Sequence, residues 1–276
     1  MNAANTSIQS FVSLVSPMVS GALLTVAPIE SIFLIDVITA AIAVSILMLF
    51  VNVPIHKKAA EKQEVSYFAD MREGFHYVRK HGFVKTTFLF LAMIYVLIAP
   101  LAFLTPLHVT RKFGDDVWRL TAIEVIYSAG IMIGGLIMAS WGGFKNKTHP
   151  MVLSILILGA CTISLGFAPL FALYLLVMGV VGLALPVFNT PAIVLLQEKV
   201  DGNFLGRVFG VLSMIASSAT PLAMLVFGPL ADLVKIEWLL FGTGSLLLAE
   251  GLLMLGSKVL IVAGRSDLEG GESAGV

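Results

Sequence analysis

Long apolar stretches alternate with shorter polar ones along most of this chain. A helix needs about 20 consecutive apolar residues to cross the roughly 30 Å hydrocarbon core of a bilayer. Eight stretches approach or exceed that length and together hold only three charged side chains: 7–27, 31–51, 86–106, 120–141, 151–168, 170–194, 208–231 and 238–257. The pattern predicts an all-α membrane protein with eight transmembrane helices.

The composition agrees with this prediction and excludes other classes of protein. The 276 residues are 58% hydrophobic and 12% charged, whereas soluble domains have about 25% charged residues. A soluble enzyme and a nucleic-acid binder with a basic surface are therefore excluded. No Gly-Lys pair occurs, so the chain lacks a nucleotide-binding Walker loop. All five histidines lie outside the apolar stretches or at their ends, so we expect no enzyme activity, cofactor or metal.

The basic residues predict the orientation in the membrane, because lysine and arginine accumulate on the cytoplasmic side. If both termini are cytoplasmic, 13 of the 17 basic residues lie inside, and only Arg111, Lys112, Arg119 and Lys235 lie outside. We therefore expect cytoplasmic N and C termini.

One long polar segment, 52–85, separates two predicted helices from six. Within it, apolar residues recur at helical spacing, which predicts an amphipathic helix along the cytoplasmic membrane surface; they are Tyr67, Phe68, Met71, Phe75 and Val78. A solvated linker helix without lipid contact is the alternative. The tail 262–276 is rich in Gly, Ser and Glu, which favours disorder.

A weak internal repeat links the first and seventh predicted helices. Ser16 and Pro17 follow several small polar residues, and Thr220 and Pro221 do the same 204 positions later. Two related helical bundles, as in many secondary transporters, would produce such a repeat. Chance similarity of two short segments is the competing explanation.

The same region of the first helix resembles a known signature. Ser16 and Pro17, followed by Ser20 and Gly21, resemble the Gly-Pro-x-x-Gly-Gly end of the motif in the fifth helix of drug–proton antiporters of the major facilitator superfamily. Two of its glycines are serine here. Segments 32–36, 70–79, 196–200 and 206–208 are similar to the branch of macrolide and siderophore exporters.

This resemblance implies twelve helices in two bundles of six, in a bacterial plasma membrane. Segment 52–85 would be the central cytoplasmic loop, so the eight helices would be the fifth to the twelfth, with the first four absent. Residues 1–51 would then be the last two helices of the N-terminal bundle, and 86–261 the complete C-terminal bundle. A weakened gating loop would contain Lys145 and Lys147. Arg207, at the cytoplasmic start of its helix, would contribute to gating by analogy with the family, with anchoring at lipid phosphate as the alternative.

Three carboxylates within the apolar stretches are candidates for proton coupling: Glu124, Glu250 and Asp36. Ionisable groups in a membrane cost about 2.5–3.5 kcal/mol each on insertion scales and usually have a reason. Glu124, near the outer end of its helix, is the first candidate; the structural alternative is that it reaches back to the interface or pairs with Arg119. For Glu250 a hydrogen bond to Ser245 or to a neighbouring helix competes with function, and for Asp36 an interfacial position does.

The resemblance also implies that helices 86–106 and 170–194 line a central cavity. Their polar and aromatic residues are the candidates for its wall, with ordinary helix packing as the alternative: Tyr95, Thr105, Phe188, Asn189 and Thr190. Prolines inside helices would provide bends for rocking of the bundles: Pro17, Pro100, Pro186, Pro191 and Pro221. Gly130 and Gly134 predict a close helix contact.

The sequence therefore predicts a secondary transporter in the lipid bilayer that exchanges protons for amphipathic small molecules, such as macrolide-like drugs or siderophores. Alternating access requires two bundles around one site. The alternative is a transport-incompetent fragment, or a chain that works only with a missing N-terminal portion or a second chain.

Overall fold

The computed structural model describes residues 12, 15–16, 19–23, 27–50, 67–141 and 146–265. Within these ranges nine named helices follow one another: α1 (Ile29–Phe50), α2 (Tyr67–Lys80), α3 (Gly82–Phe113), α4 (Val117–Trp141), α5 (Thr148–Phe167), α6 (Phe171–Lys199), α7 (Leu205–Leu233), α8 (Ile236–Gly256) and α9 (Lys258–Ala263). Described residues between 12 and 23 are also helical.

Seven of these helices, α1 and α3 to α8, are long and apolar enough to cross a membrane. They coincide with seven of the eight predicted stretches, and the all-α membrane fold is confirmed. The remaining stretch, 7–27, lies mostly outside the described residues.

Several helices extend beyond the apolar stretches that predicted them. Helix α3 has 32 residues, and Arg111 and Lys112 lie in its last turn. The Arg111 guanidinium donates to the carbonyl of Ala231 at 3.1 Å, and the Lys112 ammonium donates to the carbonyl of Gly166 at 2.8 Å. Charged residues can thus continue a helix past the apolar layer while their side chains bind the ends of neighbouring helices.

The bundle consists of closely packed helix pairs, α4 with α6 and α5 with α8, joined through α5 with α6 and α3 with α7 and α8. Small residues permit the closest approach. A Cβ atom built on Gly130 would lie 2.3 Å from the carbonyl oxygen of Gly179, and one on Gly182 would lie 2.2 Å from that of Tyr127. The close contact predicted from Gly130 and Gly134 is therefore present between α4 and α6.

The helix predicted in the polar segment is α2, and it packs against α7 and α3. Tyr77 and Val78 on this helix are buried in the core beneath it, whereas Phe75 is 46% exposed. Part of its apolar face therefore contacts the rest of the protein. Neither the predicted helix along the membrane surface nor the alternative, a solvated linker helix, included this contact.

The C-terminal part of the described chain returns to the start of α5. Asn146 donates from its side chain to the carbonyl of Ile261 at 2.9 Å, and the Thr148 hydroxyl donates to that of Leu260 at 2.7 Å. Residues 262–265, the first four of the predicted disordered tail, therefore belong to the described structure; residues 266–276 lie outside the described residues.

Candidate transport and gating residues

Glu250 is the most deeply buried carboxylate in the described chain. It lies in α8 with 1% of its surface exposed. Neither carboxyl oxygen has a hydrogen-bond partner among the described residues, so the hydrogen bond to Ser245 or to a neighbouring helix, predicted as the structural alternative, is absent there. An uncompensated charge in such surroundings is very unfavourable, and a buried carboxyl group usually becomes neutral instead.

Glu250 is one of the residues that line a cavity of about 380 Å³ between α3 and α8, and its carboxyl oxygens are buried behind the cavity wall. The other lining side chains are apolar: Ala92, Met93, Val96, Leu97, Leu246, Ala249 and Leu253. Met93, Leu246 and Leu253 are exposed, so the cavity opens on the surface of the bundle. Among the described residues that line this apolar groove, Glu250 is thus the single ionisable one.

The other two candidate carboxylates are exposed. Glu124 lies on α4 one turn after Thr121, and Asp36 lies on α1. The predicted pairing of Glu124 with Arg119 does not occur, because Arg119 forms its ion pair with Asp116 at 3.1 Å. None of the described side chains of α1 is buried.

The five candidates for the substrate wall have different environments. Phe188 is 1% exposed within a hydrophobic cluster, and Thr105 is also buried. Both belong to the interior packing of the bundle, as the structural alternative proposed. Tyr95 and Asn189 are partly buried and Thr190 is exposed, so these three retain surface that a substrate could contact.

Arg207 connects the first turn of α7 to α2. Its guanidinium Nε donates to Asp70 at 2.8 Å, and a second nitrogen lies 3.2 Å from a carboxylate oxygen of Glu73. A Cβ atom on Gly74 would lie 2.9 Å from the carbonyl oxygen of Arg207, so the glycine allows the close approach. The gating candidate therefore fixes α2 against the bundle.

Lys147 performs a similar linking function between α5 and α6. Its ammonium group forms an ion pair with Glu198 near the end of α6. Lys145, the other candidate of the gating loop, lies outside the described residues. The acidic partner for Lys147 thus comes from another helix, and nothing in the loop sequence indicated it.

The motif resembling the antiporter signature contacts the bundle at one glycine. A Cβ atom on Gly21 would lie 2.1 Å from the Thr121 hydroxyl oxygen on α4. Ser16 and Ser20 are helical and exposed, and Pro17 lies outside the described residues. Pro221, its counterpart in the weak repeat, lies inside the continuous helix α7.

A buried polar cluster that the sequence did not predict lies between α3 and α6. His108 on α3 is 2% exposed, and neither ring nitrogen has a partner among the described residues. Its ring lies 5.7 Å from that of Tyr174, whose hydroxyl donates to Thr105 at 3.5 Å. In the sequence, this cluster is indicated by the i, i+3 spacing of Thr105 and His108 at the end of an apolar stretch.

Comparison with known proteins agrees with this architecture. The family model described as Major Facilitator Superfamily matches residues 1–224. Macrolide efflux protein A of Streptococcus pyogenes is 26% identical over 244 residues, which cover 88% of this chain and 60% of that protein. Its counterpart from Enterococcus faecalis is 27% identical over 220 residues, covering 79% and 68%. Multidrug efflux pump Tap of Mycolicibacterium fortuitum is 28% identical over 119 residues, covering 42% and 27%.

The helical bundle with its apolar spans defines a multi-pass protein of the bacterial cell membrane. The chain belongs to the Major Facilitator Superfamily, so the family inferred from the residues around Ser16 to Gly21 is confirmed. It spans about 60% of the length of the streptococcal relative that it matches.

Proposed function

We propose that this chain acts in the efflux of amphipathic small molecules by alternating access, and that it exchanges them for protons. Its similarity to macrolide and multidrug efflux proteins supports efflux. Apolar, adaptable surface suits bulky substrates of this kind, so macrolide-like molecules are the first substrates to test, followed by siderophores.

Glu250 is the proposed proton-exchanging group, and its burial without a partner is the observation that carries the proposal. In the apolar groove the neutral, protonated carboxyl group is the stable form. A conformation that admits water between α3 and α8 would let the group ionise and release its proton. Pro100 and Pro106 inside α3 interrupt backbone hydrogen bonding and favour bending next to the groove.

The second candidate is that the chain takes part in transport only together with further helices. Helix α1 has no buried side chain in the described chain, whereas the helices of a transporter bundle normally bury one face. In this case the chain would contribute the groove and the proton site, and another polypeptide segment would complete the substrate pathway.

Macrolide accumulation in bacteria that lack their own exporters separates these two candidates. Cells expressing the chain alone should retain less radiolabelled macrolide than cells with an empty vector, and a protonophore should abolish the difference. Equal retention with verified membrane insertion would contradict autonomous efflux and favour dependence on further helices. Protonophore-insensitive efflux would contradict proton exchange.

A further inference from the structure

A second cavity, of about 510 Å³, lies where α2, α3 and α7 meet. Among the described residues, four basic side chains and no acidic side chain line it: Arg72, His76, Arg79 and Lys85. The rest of the lining is apolar and includes Phe75, Phe88 and Leu89. A cationic rim thus adjoins an apolar wall.

The basic side chains of this cavity are available for a ligand. In the part of the chain that the structure describes, none of them forms a side-chain ion pair or hydrogen bond. Asp70 and Glu73, the acidic residues of α2, are instead engaged by Arg207. The local acidic groups therefore do not neutralise the cationic rim.

Helix geometry explains how α2 separates its charges. Residues 72, 76 and 79 are spaced by four and three positions, which places them on one face of a helix. Asp70 and Glu73 fall on the side that meets α7, as their ion pairs with Arg207 require. Phe75 shares the basic face and is 46% exposed, so this face combines positive charge with apolar surface.

The cavity lies at the depth of a membrane surface. Lys85 directly precedes the apolar stretch that begins at residue 86. Leu89 and Ala92, also in the lining, are four and seven residues further along α3, about 6 and 10 Å deeper at a rise of 1.5 Å per residue. The cations therefore lie at headgroup level, and the apolar wall extends towards the acyl chains.

We propose that this cavity is a binding site for an anionic phospholipid. The phosphate group would contact Arg72, Arg79 and Lys85, and an acyl chain would lie along Phe75, Leu89 and Ala92. The orientation predicted from the basic residues places this cavity on the cytoplasmic side, where basic pockets between membrane helices are suited to anionic headgroups. The apolar wall gives the lipid an advantage over free phosphate, which could use only the cations.

The test is native mass spectrometry of the purified full chain, titrated with phosphatidylglycerol or with phosphatidylcholine of the same acyl chains. We expect phosphatidylglycerol to bind about tenfold more tightly. One basic side chain near an anionic surface contributes about 1 kcal/mol, which corresponds to about fivefold in affinity. Arg79→Gln and, independently, Lys85→Gln should each weaken phosphatidylglycerol binding about fivefold.

Lys80→Gln is the matched control, because Lys80 neighbours Arg79 on the same helix and is not part of the lining. It should leave the affinity within twofold of the unaltered chain. Equal affinity for the two lipids, or equal effects of the Arg79 and Lys80 substitutions, would overturn the proposal. Displacement of phosphatidylglycerol by millimolar inorganic phosphate would also overturn it, because the cavity would then be a simple anion site.

Discussion

The Arg207 guanidinium lies 2.8 Å from a carboxylate oxygen of Asp70, and this ion pair joins the membrane-spanning helix α7 to helix α2. The two residues are 137 positions apart. Gly74 allows the helices to approach at the same place. Helix α2 is therefore a fixed part of the bundle surface at this point.

Substitution of Arg207 by Gln should release α2 from α7, because Asp70 and Glu73 both lose their partner. We expect severalfold faster amide hydrogen exchange in residues 70–80, measured by mass spectrometry, with little change in α5 and α8. Arg265→Gln serves as a control for removal of an exposed positive charge elsewhere. Unchanged exchange in α2 of the Arg207 variant would mean that packing of Tyr77 and Val78 alone holds the helix.

The contact between α4 and α6 predicts opposite outcomes for two glycines five residues apart. Gly130→Ala places a methyl group against the carbonyl of Gly179, and overpacking of this kind costs about 1–3 kcal/mol. Gly135→Ala meets no atom within 4 Å and gains helix propensity. The first variant should melt several degrees lower in detergent, and the second should melt at or above the original temperature. Equal melting temperatures would contradict the proposed packing.

Gly21 and Thr121 give a test of the segment that resembles the antiporter signature. Gly21→Ala should reduce efflux, since its methyl group would overlap the Thr121 side chain. Thr121→Ala in the same chain should restore part of the activity, because it removes the two closest atoms, the hydroxyl oxygen and the methyl carbon, and leaves only the Cβ atom at 2.8 Å. Ser20→Ala, at an exposed position of the same helix, is the control and should be neutral. Failure of Thr121→Ala to rescue the Gly21 variant would argue against this contact.

The sequence was informative where a single helix carries the signal. The apolar stretches predicted the spans, the spacing around Met71 predicted α2, and the depth of Glu250 in its stretch indicated burial. The arrangement of side chains between helices could not be predicted in the same way. Asp70 and Arg207 are far apart in sequence, the partner of Lys147 lies on α6, and the apolar groove around Glu250 requires both α3 and α8.

Burial in the structure ranks the candidate carboxylates for proton coupling differently from their positions in the sequence. Glu124 had priority from its sequence position, yet it is exposed, whereas Glu250 is buried without a partner among the described residues. Phe188, an aromatic residue of a helix that the resemblance places at the cavity, is 1% exposed and packs within a hydrophobic cluster. Periodicity gives the face of a helix, and only the neighbouring helices decide what that face contacts.

The central claim is that Glu250 exchanges protons during efflux, and transport by inside-out membrane vesicles tests it most directly. Under an imposed proton gradient, vesicles with the unaltered chain should accumulate macrolide. Glu250→Gln keeps the shape of the side chain and removes its ionisation, so it should reduce this accumulation at least tenfold. Glu124→Gln should retain at least half of it. Full proton-driven accumulation by the Glu250 variant, or its loss in the Glu124 variant alone, would contradict the claim.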